Sequence, residues 1–530
     1  MPEWFSIIPP LVAIVLAFVT KEVISSIISG LLAGIILIQF QKDHWFGLVK
    51  SPFILVDTYL PKALVPNPEG GIVDRGHISI IMFSVLIGGV SMLIQKNGGM
   101  TAMVQKLTKF ANTKKRVQLL TYFLGILIFF DDYANTLIVG NTTRGLAKKH
   151  RISREKMAYL VDSTAAPIAA LAFATTWIGA ELTYIADSTK EIESLHMSAY
   201  ALFLSSIPYS FYAILTLVFI PILIIKNLDF GPMRKAEKKA DLSEQDNGNQ
   251  QNIESDKNPL GLALWPLGIL SIGTFIGLII TGFSQDVWSD SSLSFFVKIS
   301  KIIGNSNSYK ALLWSSFISS IVAVLLSIGY KKLSLKQSVE ALLTGYKSMI
   351  EAVVILILAW SLASVLEELG TSAFLEKLLV GYIPYQLLPA VVFLLAILVS
   401  FSTGSSWGTM AILFPLILST SWKLFDSAAL GMQANHLFYL TISSIMGGAV
   451  FGDHISPISD TTIMSSMATG CNHIAHVRTQ MPYAISVGCI ALFFGILPVS
   501  FGLSVWWALI LSVLVMVLFV TVLSKNKKGT

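Results

Sequence analysis

Apolar residues run along this chain in blocks of helix length, separated by short polar stretches. A helix needs about 20 apolar residues to cross the ~30 Å hydrocarbon core of a bilayer. On that measure the pattern predicts crossings near residues 4–19, 23–40, 78–96, 157–179, 198–225, 260–283, 308–330, 346–368, 435–470, 482–501 and 503–523. Two further apolar blocks, 117–143 and 386–420, carry polar tips and read as re-entrant hairpins. The stretch 226–257 holds six basic residues, seven acidic ones and the run GNQQN, and reads as a solvated linker. The predicted fold is an all-α integral membrane protein with about eleven transmembrane helices plus two re-entrant hairpins.

Composition sharpens that class. Of 530 residues, 54% are hydrophobic and 13% charged, with mean hydropathy +0.70. The charged share is about half the roughly 25% of soluble proteins, which argues against a soluble enzyme, a disordered chain and a nucleic-acid module. Cys471 and Cys489 are the only cysteines, so no disulfide framework holds the fold. The net charge of +6 is better read as topology signals than as an acidic partner. The opening Met-Pro-Glu-Trp-Phe lacks a basic region and a small-residue cleavage site, so the first helix is expected to stay.

A linker near the midpoint suggests two halves, and an internal repeat supports them. A shift of 271 positions lays Gly99 on Gly370, Ala102 on Ala373, Phe130 on Phe401, and GILIFF (125–130) on AILVSF (396–401). A shift of about 290 brings VDSTAAPIA (161–169) near GDHISPIS (452–459). The block 117–143 has basic clusters on both flanks, so only a hairpin keeps both on the cytoplasmic side. The block 386–420 has only Lys377 and Lys423 nearby and reads as a hairpin entering from outside. Hairpins entering from opposite faces make the repeats inverted, the architecture of secondary transporters. The expected domains are a first repeat, 1–225, a cytoplasmic linker, 226–258, a second repeat, 259–501, and an extra helix with a basic tail, 502–530. The expected topology has the N-terminus outside, the C-terminus in the cytoplasm and the acidic loop Glu181–Glu193 outside. His473 and His476, beside Arg478, read as interfacial.

Candidate chemistry sits at the tips and breaks. The first tip reads Phe-Phe-Asp131-Asp132-Tyr-Ala-Asn135-Thr136. One charge at the bilayer centre costs at least about 2.5–3.5 kcal/mol, so paired aspartates there call for a use; one of them can serve as an N-cap. The second tip reads Ser402-Thr403-Gly404-Ser405-Ser406-Trp407, with hydroxyls and no charge. The first broken helix carries Asp162-Ser163-Thr164-Ala-Ala-Pro167, and the second Asp453-His454-Ile-Ser456-Pro457-Ile-Ser459-Asp460-Thr461-Thr462. Proline removes a donor and frees carbonyls. Carboxylates, hydroxyls and free carbonyls together suit a hard alkali cation. His454 is placed to bond Asp453 or to relay protons.

FFDDYANT…RISREKMAYLVDSTAAP and FGDHISPISDTTIMSS…HVRTQMPY resemble the NhaC family of sodium/proton antiporters, part of an ion-transporter superfamily built from inverted repeats. The resemblance runs from the first helix to about Tyr483. It implies Na⁺ and H⁺ as transported or coupling ions, with no other cofactor, and the bacterial plasma membrane as location. It implies Asn135 and Thr136 as cation ligands at the first tip and Ser405 and Ser406 in the equivalent place of the second, where Trp407 replaces the expected small hydroxyl residue. The expected sodium ligands are Asn135, Thr136, Asp162, Asp453 and Asp460. Family members also include a malate/lactate exchanger.

The first hypothesis is sodium/proton antiport by competition. Removal from water disfavours an ionised carboxyl, and an arriving cation favours it, so ion and proton exclude each other. Asp132 and Asp162 are the expected exchanging carboxylates, with Asp453 and Asp460 close behind. The alternative is sodium- or proton-coupled transport of a small organic anion or amino acid, held by half-helix N-termini. It would be favoured by a membrane-embedded Arg or Lys facing the tips, and the basic residues instead sit near segment ends. An intramembrane aspartic hydrolase is disfavoured, because adjacent Asp131 and Asp132 point apart. The other expected partners are the lipid bilayer and, as an allowed assembly, a second copy of the chain in a homodimer; no nucleic acid is expected.

Overall fold

The computed structural model describes residues 2–528 apart from 66–74, 109–110, 191, 193–194, 196, 243–257, 292, 372, 375–376, 378–383 and 429. Among the described residues the chain is helical, without strands. Among the described residues, nine helices are long and apolar enough to cross a membrane, or ten if Ala199–Tyr209 and Phe211–Lys226, bent by 47°, form one span. The protein is an all-α membrane protein. Seven of the nine helices match expected crossings; the other two, Tyr385–Thr403 and Ser406–Asp426, come from the block expected as a re-entrant hairpin and are each long enough to cross, while the remaining expected crossings are short, split or more polar. The first is Ile8–Thr20, only 13 residues, stopped by Lys21 in a left-handed conformation (φ 57°).

The apolar block 117–143 is two helices, Lys114–Leu127 and Asp132–Lys149, which pack against each other across the break at 128–131. The block 386–420 is Leu388–Thr403 and Ser406–Ser427, joined through Gly404 and Ser405. Gly404 has φ +65°, and a Cβ there would collide with the Ile458 carbonyl, so glycine serves both the turn and the close approach.

The first broken helix runs Arg154–Ala169 and resumes at Ile178–Thr189. Its break lies at 170–177, downstream of the expected place. Pro167 is inside the helix, and Asp162, Ser163 and Thr164 are helical rather than on an unwound stretch. The local reason is Thr175. Its hydroxyl accepts from the amides of Trp177 and Ile178 and donates to the Ala169 carbonyl, closing both ends of the break. The second broken helix runs Met432–Ile455 and Asp460–Thr469, with its break at 456–459 around Pro457.

The halves interlock crosswise. Asp460–Thr469 of the second half packs on Asp132–Lys149 of the first hairpin, and Ile178–Thr189 of the first half packs on Ser406–Ser427 of the second hairpin.

The expected linker begins as structure. Gly231–Leu242 is a helix, and it buries Met233 and Glu237. Glu237 accepts the Ser153 amide at 2.7 Å and pairs with Lys114 at 2.8 Å, which ties this helix to the starts of Arg154–Ala169 and Lys114–Leu127. Asp229 accepts from Lys156 at 2.6 Å and from the Tyr483 hydroxyl at 2.6 Å. Burial alone would raise the Asp229 carboxyl, but the Lys156 ammonium and the Tyr483 hydroxyl outweigh it and hold it below the usual range. The GNQQN run lies outside the described residues.

Candidate ion site

Four elements meet at one small cavity. The first hairpin supplies Asp132 and Tyr133, the first break Trp177, the second hairpin Gly404–Trp407, and the second broken helix Asp453, Asp460 and Thr461. The cavity holds about 10 Å³, room for one water-sized group. Three carboxyls line it, and no Lys or Arg does.

Each carboxyl reaches the cavity for a local reason. Asp131 is the N-cap of the returning arm: its Oδ1 accepts the Ala134 amide at 2.8 Å. That leaves Asp132, the first helical residue, to turn into the cavity. Asp453 ends the last turn of its helix and accepts from the Thr461 hydroxyl at 2.7 Å across the break. Asp460 starts the next helix beside the Ser459 cap and accepts from the Tyr133 hydroxyl of the first hairpin at 2.7 Å. The two broken ends therefore hold one carboxyl each beside the break, and a tyrosine from the opposite half spans to one of them.

Asp162 is in a separate polar knot. Its Oδ2 accepts from Gln480 at 2.6 Å and from the Thr462 hydroxyl at 3.0 Å, and His476 Nε2 stands 3.8 Å away. Gln480 also donates to the His454 carbonyl at 2.9 Å, and its own oxygen contacts His476 Nε2 at 2.9 Å. His454 Nδ1 bonds the Tyr212 hydroxyl at 2.9 Å rather than Asp453. His476 is fully buried here, not interfacial; His473 is half-buried and holds the Pro457 carbonyl at 2.6 Å. Gln480 and His476 were missed as site residues. Their signal was present as two polar side chains four apart, on one face of the helix His473–Ile490.

The remaining expected residues serve the frame as well. Asn135 donates to the Gly125 and Ile128 carbonyls at 2.6 and 3.0 Å, closing the first hairpin's break. Its Oδ1 is buried and unpartnered among the described residues, as is Asp162 Oδ1. Thr136, Thr164, Ser402 and Thr403 donate to carbonyls of their own helices, and Ser163 is buried beside Asp162. Ser405 caps the returning arm by accepting the Gly408 amide. Ser406 donates to the Ala449 carbonyl and Ser456 to the Phe401 carbonyl, so the second tip is fastened to its own broken helix. Ser459 is the cap of Asp460–Thr469.

The five expected sodium ligands thus fall in three places: Asp453 and Asp460 on the cavity, Asp162 in the knot, Asn135 and Thr136 behind the first tip. Among the described residues, no three His, Cys, Asp or Glu side chains form a preformed metal cage. A buried cation does exist: Lys156 is 1% exposed. It pairs with Asp229 and lies over the Tyr159 and Tyr483 rings, away from the tips.

Residues 168–499 match the model of the Na⁺/H⁺ antiporter family. An uncharacterised Haemophilus influenzae protein is 30% identical over 488 residues, covering 91% of this chain and 88% of its own. The malate-2H⁺/Na⁺-lactate antiporter of Bacillus subtilis is 28% identical over 198 residues, 36% of this chain and 38% of its own. The crystal structure of the Alcanivorax borkumensis YdaH transporter superposes with a TM-score of 0.55 at 14% identity, covering 84% of this chain and 89% of that one, which shows a shared fold. A secondary transporter is what the crossed hairpins and the buried carboxyls lead to, and the chain belongs to the Na⁺/H⁺ antiporter family.

Proposed function

We propose that the protein exchanges sodium for protons across the bacterial plasma membrane by alternating access. The observation that carries this reading is the cavity itself: Asp132 from the first hairpin and Asp453 and Asp460 from the second broken helix, one element of each half, around space for a single small group. Three carboxyls so close cannot all be ionised in a dry site without a cation, and a cation makes their protons leave. Sodium and protons are therefore mutually exclusive occupants, which is the coupling. Asp162 acts beside this site: Thr462 joins its carboxyl to the helix that Asp460 begins, so protonation of one knot is felt by the other. Access would alternate by movement of the hairpins and broken helices against the surrounding helices.

A second reading, coupled exchange of a small organic anion, has one observation in its favour: the likeness to the malate-2H⁺/Na⁺-lactate antiporter. The lining opposes it, since three acids and no base would face the anion. One experiment separates the two. The purified protein is placed in liposomes containing a pH dye, and Na⁺, K⁺, Li⁺, malate, lactate and amino acids are added in turn. A pH change driven by Na⁺ alone supports antiport. A response requiring malate or lactate replaces it with the second reading.

A further inference from the structure

Glu181 belongs to the helix Ile178–Thr189 and is fully buried, not in an external loop. Both of its carboxyl oxygens lack a hydrogen-bond partner among the described residues. An ionised carboxylate in such a place would cost many kcal/mol, so the group is held as the neutral acid. Its position on the helix is informative. Trp177, Glu181, Tyr184 and Ser188 follow the i, i+4, i+7, i+11 spacing of one helical face. Trp177 lines the ion cavity with Asp132. The Tyr184 hydroxyl and the Ser188 Oγ are, like Glu181, buried and unpartnered among the described residues. This face lies on Ser406–Ser427: Trp177 meets Trp407 and Tyr184 meets Phe414, seven residues on in each helix. Beyond Tyr184, Asp187 pairs with His77 at 3.0 Å. At 1.5 Å per residue, Glu181 stands about 6 Å above Trp177 along the axis and about 9 Å below Asp187.

The titratable groups of the four helices packed on this one are few. Arg75–Lys96 brings Arg75, His77 and Lys96; Ile350–Glu368 brings Glu351, Glu367 and Glu368; Ser406–Ser427 brings Lys423 and Asp426; Ala199–Ser206 brings Tyr200, which donates to the Phe173 carbonyl. None of these has a hydrogen bond or ion pair to Glu181. A buried acid without a hydrogen-bond partner stands along this helix between Trp177 at the ion cavity and Asp187, which lies about a quarter-turn off that face.

We propose that Glu181 is a second proton-carrying site, which passes protons between the Asp132 cavity and the His77–Asp187 pair. The proton leaves the Glu181 carboxyl for the Asp132 carboxylate, and the Glu181 carboxylate is refilled from the His77–Asp187 side. The path is separate from that of the cation, and the proposal rests on the antiport reading.

The test uses the full chain in liposomes, wild type against Glu181→Gln, which keeps the shape of the neutral acid. Sodium-driven proton flux is expected to fall at least about a hundredfold, the lower end of what a positioned proton-transfer group contributes. Equilibrium binding of ²²Na⁺ should be unchanged, and Glu181→Asp should restore part of the flux. The infrared carbonyl band of a protonated carboxylic acid, present in wild type at neutral pH, should lose intensity in Glu181→Gln. Wild-type flux and pH profile in Glu181→Gln, or an undiminished band, overturns the proposal. Absence of sodium-driven flux from wild type itself sinks the antiport reading instead, and the infrared band then still decides whether Glu181 holds a proton.

Discussion

The two hairpin tips do the same geometric job with opposite chemistry. Each tip is capped by an oxygen side chain, Asp131 in the first and Ser405 in the second. Each is bonded to its own broken helix through the carbonyl of a phenylalanine: Phe130 accepts the Thr176 amide at 2.9 Å, and Phe401 accepts the Ser456 hydroxyl at 2.7 Å. Those two phenylalanines are 271 positions apart, the shift that also lays Gly99 on Gly370. The contents differ. The first tip delivers a carboxyl, Asp132, and a reaching hydroxyl, Tyr133, into the cavity. The second delivers a glycine turn and hydroxyls already engaged, Ser406 donating to the Ala449 carbonyl and Ser405 accepting the Gly408 amide. The first tip carries charge, while the second supplies a close-packed wall. The second half carries its charge on the broken helix, at Asp453 and Asp460.

The largest expected effect tests that division directly. Asp132→Asn keeps shape but cannot ionise, and sodium-driven pH change in liposomes should fall to background. Ser406→Ala on the opposite tip removes one neutral hydrogen bond, worth about 1 kcal/mol, and should leave exchange within a few-fold of wild type. Equal losses in the two variants would erase the asymmetry.

Next in size is the anchoring of the first broken helix, for which the second shows no counterpart among the described residues. Lys156→Met leaves Asp229 without its cation, and breaking a buried pair costs about 3–5 kcal/mol. Thermal unfolding in detergent should show it as a large drop in midpoint. The pH dependence follows from the lowered Asp229 carboxyl. Its contribution is complete above the unfolded carboxylate value of about 3.9 and is lost as pH falls through the lower folded value. Asp229→Asn should flatten that acid limb.

Gly404→Ala probes the second tip. A left-handed residue with a Cβ costs about 1–2 kcal/mol, and here the Cβ also meets the Ile458 carbonyl. Lower stability with reduced exchange is expected, whereas Gly145→Ala in the first hairpin's returning arm, with nothing within 4 Å of its Cβ, should be neutral or better. The smallest effect distinguishes ligand from frame in the second half. Asp460→Ala should raise the sodium concentration for half-maximal exchange about tenfold, equivalent to 1.4 kcal/mol, with less loss at saturation. Reduced protein yield at unchanged apparent affinity would make Asp460 a structural partner of Tyr133 alone.

Composition and periodicity were enough to determine a helical membrane protein, because the cost of apolar surface in water and of unpaired backbone in lipid leaves few other folds. The paired aspartates, the second tip's hydroxyls and the Pro457 break were equally legible, since each violates the local apolar pattern at a visible cost. Three things waited for the tertiary structure. The first break falls at 170–177 and not at Pro167, because a proline can be absorbed near a helix end while Thr175 closes the gap. Asp162 belongs with Gln480 and His476, more than 300 residues away, and no local rule couples residues at that separation. Glu181 looked like the start of an external acidic loop; helix phase, set by packing on Ser406–Ser427, turns it inward. Local chemistry determines which residues are out of place in lipid, and only the packing of one half on the other decides which of them meet.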